Sequence, residues 1–394
     1  MTAWLYEANA LDLPIDDNSV DLVVTSPPYY ALRSYQDDGE HFEGQIGSED
    51  TPDEFLDALW AVTRECVRVL KPSGSLWVNL GDKYSSGSSG QSRLNDRQNT
   101  AKVRSGSVAG FRPKSLIGLP WRYALGCIDD LGLILRAEVV WSKPNPLPES
   151  VKDRVRRSHE QWFHFTLEPR YFSAIDEIRE PWVVASRDGR GAGKTYTADG
   201  SANHGVGSDS LGLVGADAGH PLGKVPGSVW SIPSEPLRVP DHLGVDHFAA
   251  FPQEWPRRLI LGWCPAEVCT ACGEGRAPVV ERENLGTVGA HNHDRAAGMT
   301  HGLGASTLRN TQPTTITGYA CACSDTTAPS TPGVVLDPFC GTGTVPMVAH
   351  ALGRTGIGVD LSGDYLRLAR WRVFESGHAQ KSIDRTAANV RGSK

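Results

Sequence analysis

Two short segments far apart in the 394-residue sequence carry residue types whose spacing suits chemistry. The first is Thr25-Ser26-Pro27-Pro28-Tyr29, which ends a short apolar run. An exocyclic amine on a nucleobase is a poor nucleophile, because its lone pair is delocalised into the ring. Alkylating it requires acceptors that draw its protons away. Ser26 Oγ and the Pro27 carbonyl supply two such acceptors, Pro27 and Pro28 stiffen the loop, and Tyr29 offers a ring face for a base to stack on. The plain alternative is a strand that happens to end in prolines.

The second segment is Asp337-Pro338-Phe339-Cys340-Gly341-Thr342-Gly343-Thr344. A glycine-rich turn between strand and helix lets backbone approach a ligand closely, and Asp360, about 20 residues on, can accept hydrogen bonds from ribose hydroxyls. Such a unit binds an adenosine cofactor. The third glycine of the Gly-x-Gly-x-x-Gly fingerprint is missing, which lowers a nicotinamide cofactor relative to S-adenosylmethionine. A tight βα turn with no ligand is the structural alternative.

A third cluster suggests a metal. The eight cysteines do not read as a secreted disulfide framework, because Cys269/Cys272 and Cys321/Cys323 form two tight pairs. Four thiolates in this arrangement can complete a tetrahedral structural zinc site and fold a small ribbon. Cys264 or His291 could replace one ligand, and free loop thiols are the competing reading. Cys66 and Cys127 lie in apolar, helix-like surroundings as small core residues.

The elements that position these residues follow from pattern. Val20 to Val24 reads as a buried parallel strand. Thr51-Pro52-Asp53-Glu54 has the form of a capping box and opens a helix carrying Phe55, Leu59, Val62, Cys66 and Leu70, which Lys71-Pro72-Ser73-Gly74 stops. Ser75 to Asn79 is a second strand, followed by a helix over Ser115 to Leu131 and a strand over Leu133 to Trp141. Toward the C-terminus, Val334 to Leu336, a helix closed by Gly353, the strand Ile357 to Asp360 and a helix over Asp364 to Phe374 capped by Ser362 make a complete β-α-β-α unit. Alternating strands and helices predict a largely parallel, doubly wound sheet.

Composition sets the outer bounds. No apolar stretch is long enough to span a membrane, and the first residues lack the order of a secretion signal, so a cytoplasmic protein without a membrane partner is expected. The formal net charge is -7, which alone argues against nucleic acid. Basic residues nonetheless gather at Arg93, Arg97, Lys102, Arg104, Arg112 and Lys114, and again at Lys152, Arg154, Arg156 and Arg157. Residues 83–113 and 185–227 are Gly- and Ser-rich, cannot build a core, and are candidate substrate-contacting loops.

Taken together, these motifs resemble the amino-methylating DNA methyltransferases of the β arrangement, in which Asp/Ser-Pro-Pro-Tyr precedes Asp-Pro-Phe-x-Gly-Ser/Thr-Gly-Thr. Ser26 to Tyr29 and Asp337 to Thr344 match in that order. Between them, Leu76 to Asp82, Trp141 to Pro148, His159-Glu160, Tyr171-Phe172 and His247 to Pro252 fall at similar intervals. The resemblance implies a class I S-adenosylmethionine-dependent methyltransferase, a Rossmann-like doubly wound α/β sheet that is circularly permuted, with a loop-rich recognition insert and a small zinc-ribbon-like insert. The implied organisation is a catalytic half over 1–181, a target-recognition region over 182–245, a cofactor-binding half over 246–263 and 331–394, and the zinc insert over 264–330.

The resemblance also assigns roles. Ser26, Pro27, Pro28 and Tyr29 are catalytic. Asp337, Phe339, Gly341, Gly343, Thr344 and Asp360 hold the cofactor, as does Asn9, which stands where the family usually has an acid near the adenine. Double-stranded DNA is the partner, a cognate restriction enzyme is a further one, and the protein is a monomer or homodimer. Arg187, Arg190 and Lys194 are candidate phosphate or guanine contacts. Within the family, Ser-Pro-Pro-Tyr leans toward cytosine N4 and Asp-Pro-Pro-Tyr toward adenine N6, so cytosine is favoured and adenine is the alternative. A non-catalytic DNA-binding protein on the same fold and an oxidoreductase on a similar sheet are the competing classes.

Overall fold

The computed structural model describes residues 3–31, 36–37, 40–41, 45–85, 110–146, 148–180, 222–237, 239–240, 243–244, 251–280, 316–323, 325, 327–375 and 377. The basic positions Arg93, Arg97, Lys102 and Arg104, the loop cations Arg187, Arg190 and Lys194, His291 and most of 182–245 lie outside these residues. Contacts divide the chain into two compact units. One comprises Met1–Glu177, Gly227–Ala277 and Cys321–Lys394, and the other Ile178–Pro226 with Pro278–Ala320.

The first unit begins with β1 (Ala3–Glu7) and β2 (Val20–Thr25), whose six residues are all buried. A short pair, β3 (Gln36–Asp37) and β4 (Glu40–His41), precedes α1 (Pro52–Val69). The expected capping box is present: Thr51 Oγ1 accepts from Glu54 N at 3.2 Å, and Glu54 Oε2 accepts from Thr51 N at 2.9 Å. Phe55, Leu59, Val62 and Cys66 point into the core, as their spacing requires.

β5 (Leu70–Leu80) follows α1 directly. Lys71-Pro72-Ser73-Gly74 does not separate helix from strand but forms an irregularity within the strand, since Val20 pairs with Leu70 and Leu22 with Ser75. Pro72 has no amide proton to give to a ladder, and an irregularity is where a sheet tolerates it.

α2 (Leu119–Asp129) begins four residues later than the expected helix. Lys114 and Gly118 both have left-handed backbone, at φ 67° and 82°. Its first amides are satisfied from elsewhere: Asp82 Oδ1 accepts from Gly118 N and Leu119 N, each at 3.0 Å. β6 (Ile134–Ser142), β7 (His159–Thr166) and β8 (Val229–Ser231) come next, then α3 (Glu254–Trp263). Trp255 of α3 is fully buried and stacks on Trp162 and Trp230 at centroid distances of 4.8 and 4.9 Å.

β9 (Val268–Cys269) pairs antiparallel with β12 (Ser330–Thr331). β10 (Ala277–Val280) pairs with β11 (Ile316–Ala320), and apart from Ala277 this pair belongs to the second unit. In the second unit, Glu180 and Lys224 exchange backbone hydrogen bonds of 2.9 Å.

The chain closes with β13 (Val334–Asp337), α4 (Thr344–Ala351), β14 (Thr355–Asp360) and α5 (Gly363–Arg370), the last capped by Ser362 and running into a π-helical turn over Trp371–Glu375. The main sheet has eight strands in the order β1-β14-β13-β2-β5-β7-β6-β8. It is parallel except at β7, which runs antiparallel to both β5 and β6, so the largely parallel expectation holds with one reversed strand. No described helix is long and apolar enough to cross a membrane.

Candidate active site

The two sequence motifs meet because their strands are neighbours. β2 and β13 pair in parallel, with Leu22 opposite Val335 and Val23 opposite Leu336. Parallel strands deliver their C-terminal ends to the same side of a sheet, where ligands of open α/β folds bind. Thr25 and Asp337, the last residues of the two strands, are joined by a hydrogen bond of 2.8 Å.

A single cleft opens above these ends. Ser26, Pro28, Phe339, Gly341, Thr344, Asp360 and Asn9 all line it. Of the other expected residues, Pro27 and Gly343 are buried in the same two loops, Asp337 is 1% exposed, and the Tyr29 hydroxyl meets Asn79 and Glu160. Ile46, Phe251, Leu361 and Tyr365 complete apolar parts of the lining; of these, only Phe251 falls in a segment the sequence singled out, His247 to Pro252. Phe251 is set edge-on against Trp162 at 5.8 Å, just before α3.

On the glycine-rich side, Gly343 N donates to Cys340 O at 2.8 Å and Gly341 N to Asp360 Oδ2 at 2.8 Å. Gly343 has φ 73°, and a Cβ there would fall 2.8 Å from that of Ala369. Asp360 Oδ1 also accepts from Ser362 N at 2.9 Å. These two backbone donors orient the carboxylate at the C-terminal end of β14. Asn9 sits on the exposed rim, its Oδ1 accepting from Leu11 N at 3.0 Å.

Arg372 was not anticipated. This side chain is 3% exposed, and its Nη1 donates to Thr342 O at 2.9 Å, Thr342 Oγ1 at 2.6 Å and Thr344 Oγ1 at 2.9 Å. Burial brings the guanidinium down to about 10, with the Glu235 carboxylate opposing that shift. Arg372 lies in the π-helical turn after α5, a local distortion common near functional sites.

On the Ser-Pro-Pro-Tyr side, Asn79 is the organiser. Its Nδ2 donates to Gln161 O at 3.0 Å, which fixes the amide so that Oδ1 faces the loop. That oxygen accepts from Ser26 Oγ at 3.2 Å and from Tyr29 OH at 2.9 Å. With its proton committed to Asn79, Ser26 presents lone pairs elsewhere. Tyr29 OH also lies 2.9 Å from Glu160 Oε2, and Lys143 Nζ pairs with Glu160 Oε1 at 2.5 Å while sitting 4.1 Å from the Trp141 ring centroid. In the sequence Asn79 stands out as a polar side chain inside the apolar run of β5 and within the Leu76 to Asp82 segment, and here it is 1% exposed.

Burial pushes the Asp337 carboxyl up to about 7, with nearby Asp360 adding to the rise and the Thr25 and Phe339 hydrogen bonds opposing it. The cysteines expected in the core are buried, and burial raises both thiols, that of Cys127 to about 12. Part of the second basic run is neutralised within the fold, Arg154 pairing with Glu149 at 2.9 Å and Arg157 with Asp82 at 3.5 Å. Lys152 and Arg156 remain exposed.

Away from the cleft, the sulfurs of Cys269, Cys272, Cys321 and Cys323 all lie within 4.8 Å of one another. Cys264 is not among them. Its buried sulfur lies 3.6 Å from Pro265 O and next to Gly333.

A family model described as DNA methylase, covering N6 and N4 methyltransferases, matches residues 20–267 and 326–370. The chain is 46% identical over 182 residues to the Type II methyltransferase M.XycI of Xanthomonas campestris pv. cyanopsidis, an alignment covering 45% of this chain and 58% of that protein. It is 44% identical over 183 residues to M.Cfr9I of Citrobacter freundii, covering 45% and 59%. The chain thus spans under two thirds of the length of these relatives. M.SmaI of Serratia marcescens is 29% identical over 364 residues, covering 91% of this chain and 86% of that protein. Among solved structures, PvuII DNA methyltransferase (cytosine-N4-specific) superposes with a TM-score of 0.53 at 15% identity, covering 98% of this chain and 93% of that one, a likeness of fold.

Proposed function

Because the chain belongs to the DNA methylase family, we propose that it transfers the methyl group of S-adenosylmethionine to the exocyclic amino group of a flipped base in double-stranded DNA, with cytosine N4 as the acceptor. The observation that carries this reading is the shared cleft: Ser26 and Pro28 line the same cavity as Phe339, Gly341 and Asp360.

The donor set fits the cofactor. Asp360 offers acceptors at the end of β14 for ribose hydroxyls, Phe339, Ile46 and Leu361 offer apolar walls, and Asn9 lies on the rim for a ring amino group. Bound S-adenosylmethionine supplies an electrophilic methyl group on a sulfonium sulfur. Ser26 Oγ, its own proton held by Asn79, accepts a hydrogen bond from one amine N–H and the Pro27 carbonyl from the other; as the methyl leaves the sulfonium for the nitrogen, one of these protons is released to solvent and the product keeps the second. Both pull electron density toward the nitrogen as the methyl arrives. Tyr29 gives the extruded base a surface to stack on, its hydroxyl anchored by Asn79 and Glu160. No covalent enzyme intermediate is needed, and most of the acceleration comes from alignment.

Ser26, where an aspartate would favour adenine N6, supports cytosine. Base readout needs side chains in a groove, and this task falls to residues 182–245 together with the basic loop 83–113. The catalytic half then spans 1–181, and the cofactor half 246–263 and 331–394. The Type II designation of the relatives supports a companion restriction enzyme.

The test is to express the chain in an unmethylated host, digest the DNA to nucleosides and identify the modified one by mass. N4-methylcytosine is expected. N6-methyladenine alone would transfer the assignment to adenine. DNA that is bound but never methylated would leave a non-catalytic binding protein.

A further inference from the structure

The four clustered cysteines lie outside the cleft, and they fall where the family match is interrupted. The DNA methylase model stops at residue 267 and resumes at 326, so Cys269 and Cys272 stand at the entrance of the unmatched segment and Cys321 and Cys323 at its exit. We infer that these four thiolates bind a structural Zn2+ that clips together the two ends of a segment added to the methylase fold.

The geometry suits a tetrahedral thiophilic ion. Zinc at about 2.3 Å from each sulfur places the sulfurs roughly 3.8 Å apart, and the four lie within 4.8 Å of one another while forming no disulfide. The first pair sits in a knuckle. Gly273 N donates to Cys269 O at 2.8 Å and Cys269 N to Glu274 O at 2.9 Å, and Gly273 turns the chain with φ 73°, a conformation that glycine adopts without penalty.

A charge partner is also in place. Four thiolates around a divalent cation carry two net negative charges. The Arg276 guanidinium hydrogen-bonds toward Cys321 and is itself held by Glu267 at 2.8 Å and Ala328 O at 2.7 Å. β9 and β12 pair through only two residues each, and of the residues between Cys269 and Ser330 that are described, Ala328 is the buried apolar one. Metal binding substitutes for a core where apolar burial is scarce. The ion also closes the loop between Cys272 and Cys321, removing conformational freedom from that segment.

This site rests on none of the residues assigned to methyl transfer, so the two readings stand or fall separately. Full-length protein purified without chelator is expected to contain about one zinc ion per chain by elemental mass spectrometry. A mercurial should release it as the thiols are titrated. Replacing it with Co2+ should give the thiolate-to-metal charge-transfer bands of a tetrahedral sulfur site. Cys321→Ser is expected to lower zinc retention against a weak chelator by more than about tenfold while S-adenosylmethionine binding persists. If that variant does not fold, the cobalt spectrum of the unaltered chain still decides. Metal-free protein with four titratable thiols, a pair of disulfides, stoichiometric iron, or a cobalt spectrum without sulfur charge transfer would overturn the assignment.

Discussion

Thr25 donates its hydroxyl proton to Asp337 Oδ1 at 2.8 Å, tying residues 312 positions apart in sequence. The same oxygen accepts from Phe339 N at 3.1 Å. One buried carboxyl group therefore sets the height of the Ser-Pro-Pro-Tyr loop on one side and of the glycine-rich loop on the other. Removing the Thr25 hydroxyl in Thr25→Val is expected to cost about 1 to 2 kcal/mol and to weaken cofactor binding, as urea unfolding and calorimetry would measure.

Asp337 also makes stability depend on pH. Its carboxyl is pushed from the ordinary 3.8 up to about 7 in the folded chain, so between these values the unfolded chain binds fewer protons than the folded one. Stability from this group therefore falls as pH rises through that window and levels off above it. Asp337→Asn imitates the protonated acid. Its stability relative to the parent should rise between pH 4 and pH 7, as denaturant unfolding at a series of pH values would measure. A difference that stays flat with pH would refute this assignment.

Tyr29→Phe keeps the ring and removes a hydroxyl held by Asn79 and Glu160. The expected result is a fall in kcat of about tenfold, equivalent to roughly 1.4 kcal/mol, with KM for S-adenosylmethionine unchanged. Glu160→Gln should act in the same direction through Tyr29, leaving Lys143 without its carboxylate partner. Steady-state kinetics on both variants separate this from a general loss of folding, which would lower active-site concentration and leave kcat per active site intact.

Arg372→Met removes three hydrogen bonds to Thr342 and Thr344 without touching the cleft. A loss of roughly 2 to 4 kcal/mol in stability is expected, together with about tenfold weaker cofactor binding. Arg372→Lys should recover only part, because an ammonium cannot reproduce the planar fork. Calorimetric titration with S-adenosylmethionine checks the binding, and thermal melts check the stability.

Gly343→Ala adds a methyl 2.8 Å from the Ala369 Cβ, at a residue with φ 73°. Strained backbone and steric overlap together are expected to cost about 2 kcal/mol or more. A variant whose melting and cofactor affinity match the parent would contradict the close approach of α5 to this turn.

Local chemistry was the part of this molecule that its sequence expressed. The capping box at Thr51 and Glu54, the all-buried strand at Val20 and the cap at Ser362 each depend on neighbours a few residues away. The order Ser26 to Tyr29 and then Asp337 to Thr344 was enough to expect convergence, because each motif ends a strand. What stayed hidden depends on distant partners. The start of α2 is satisfied by Asp82, 36 residues earlier than Gly118, so nothing around Ser115 marks it. Leu70 seemed to extend the helical stripe, yet it pairs with Val20 in the sheet. Arg372 looks like any charged residue on an amphipathic helix until the fold brings Thr342 beneath it, and Asn79 acquires its purpose only when Gln161 fixes its orientation.

The position of β13 between β2 and β14 has a consequence for synthesis on the ribosome. The strand that fills the middle of the sheet is translated after every other major strand except β14, so a nascent chain must hold open a slot bordered by the bare hydrogen-bonding edge of β2. Such an edge invites pairing with other chains. Until its last strands emerge, the growing polypeptide is an acceptor for whatever extended segment arrives first.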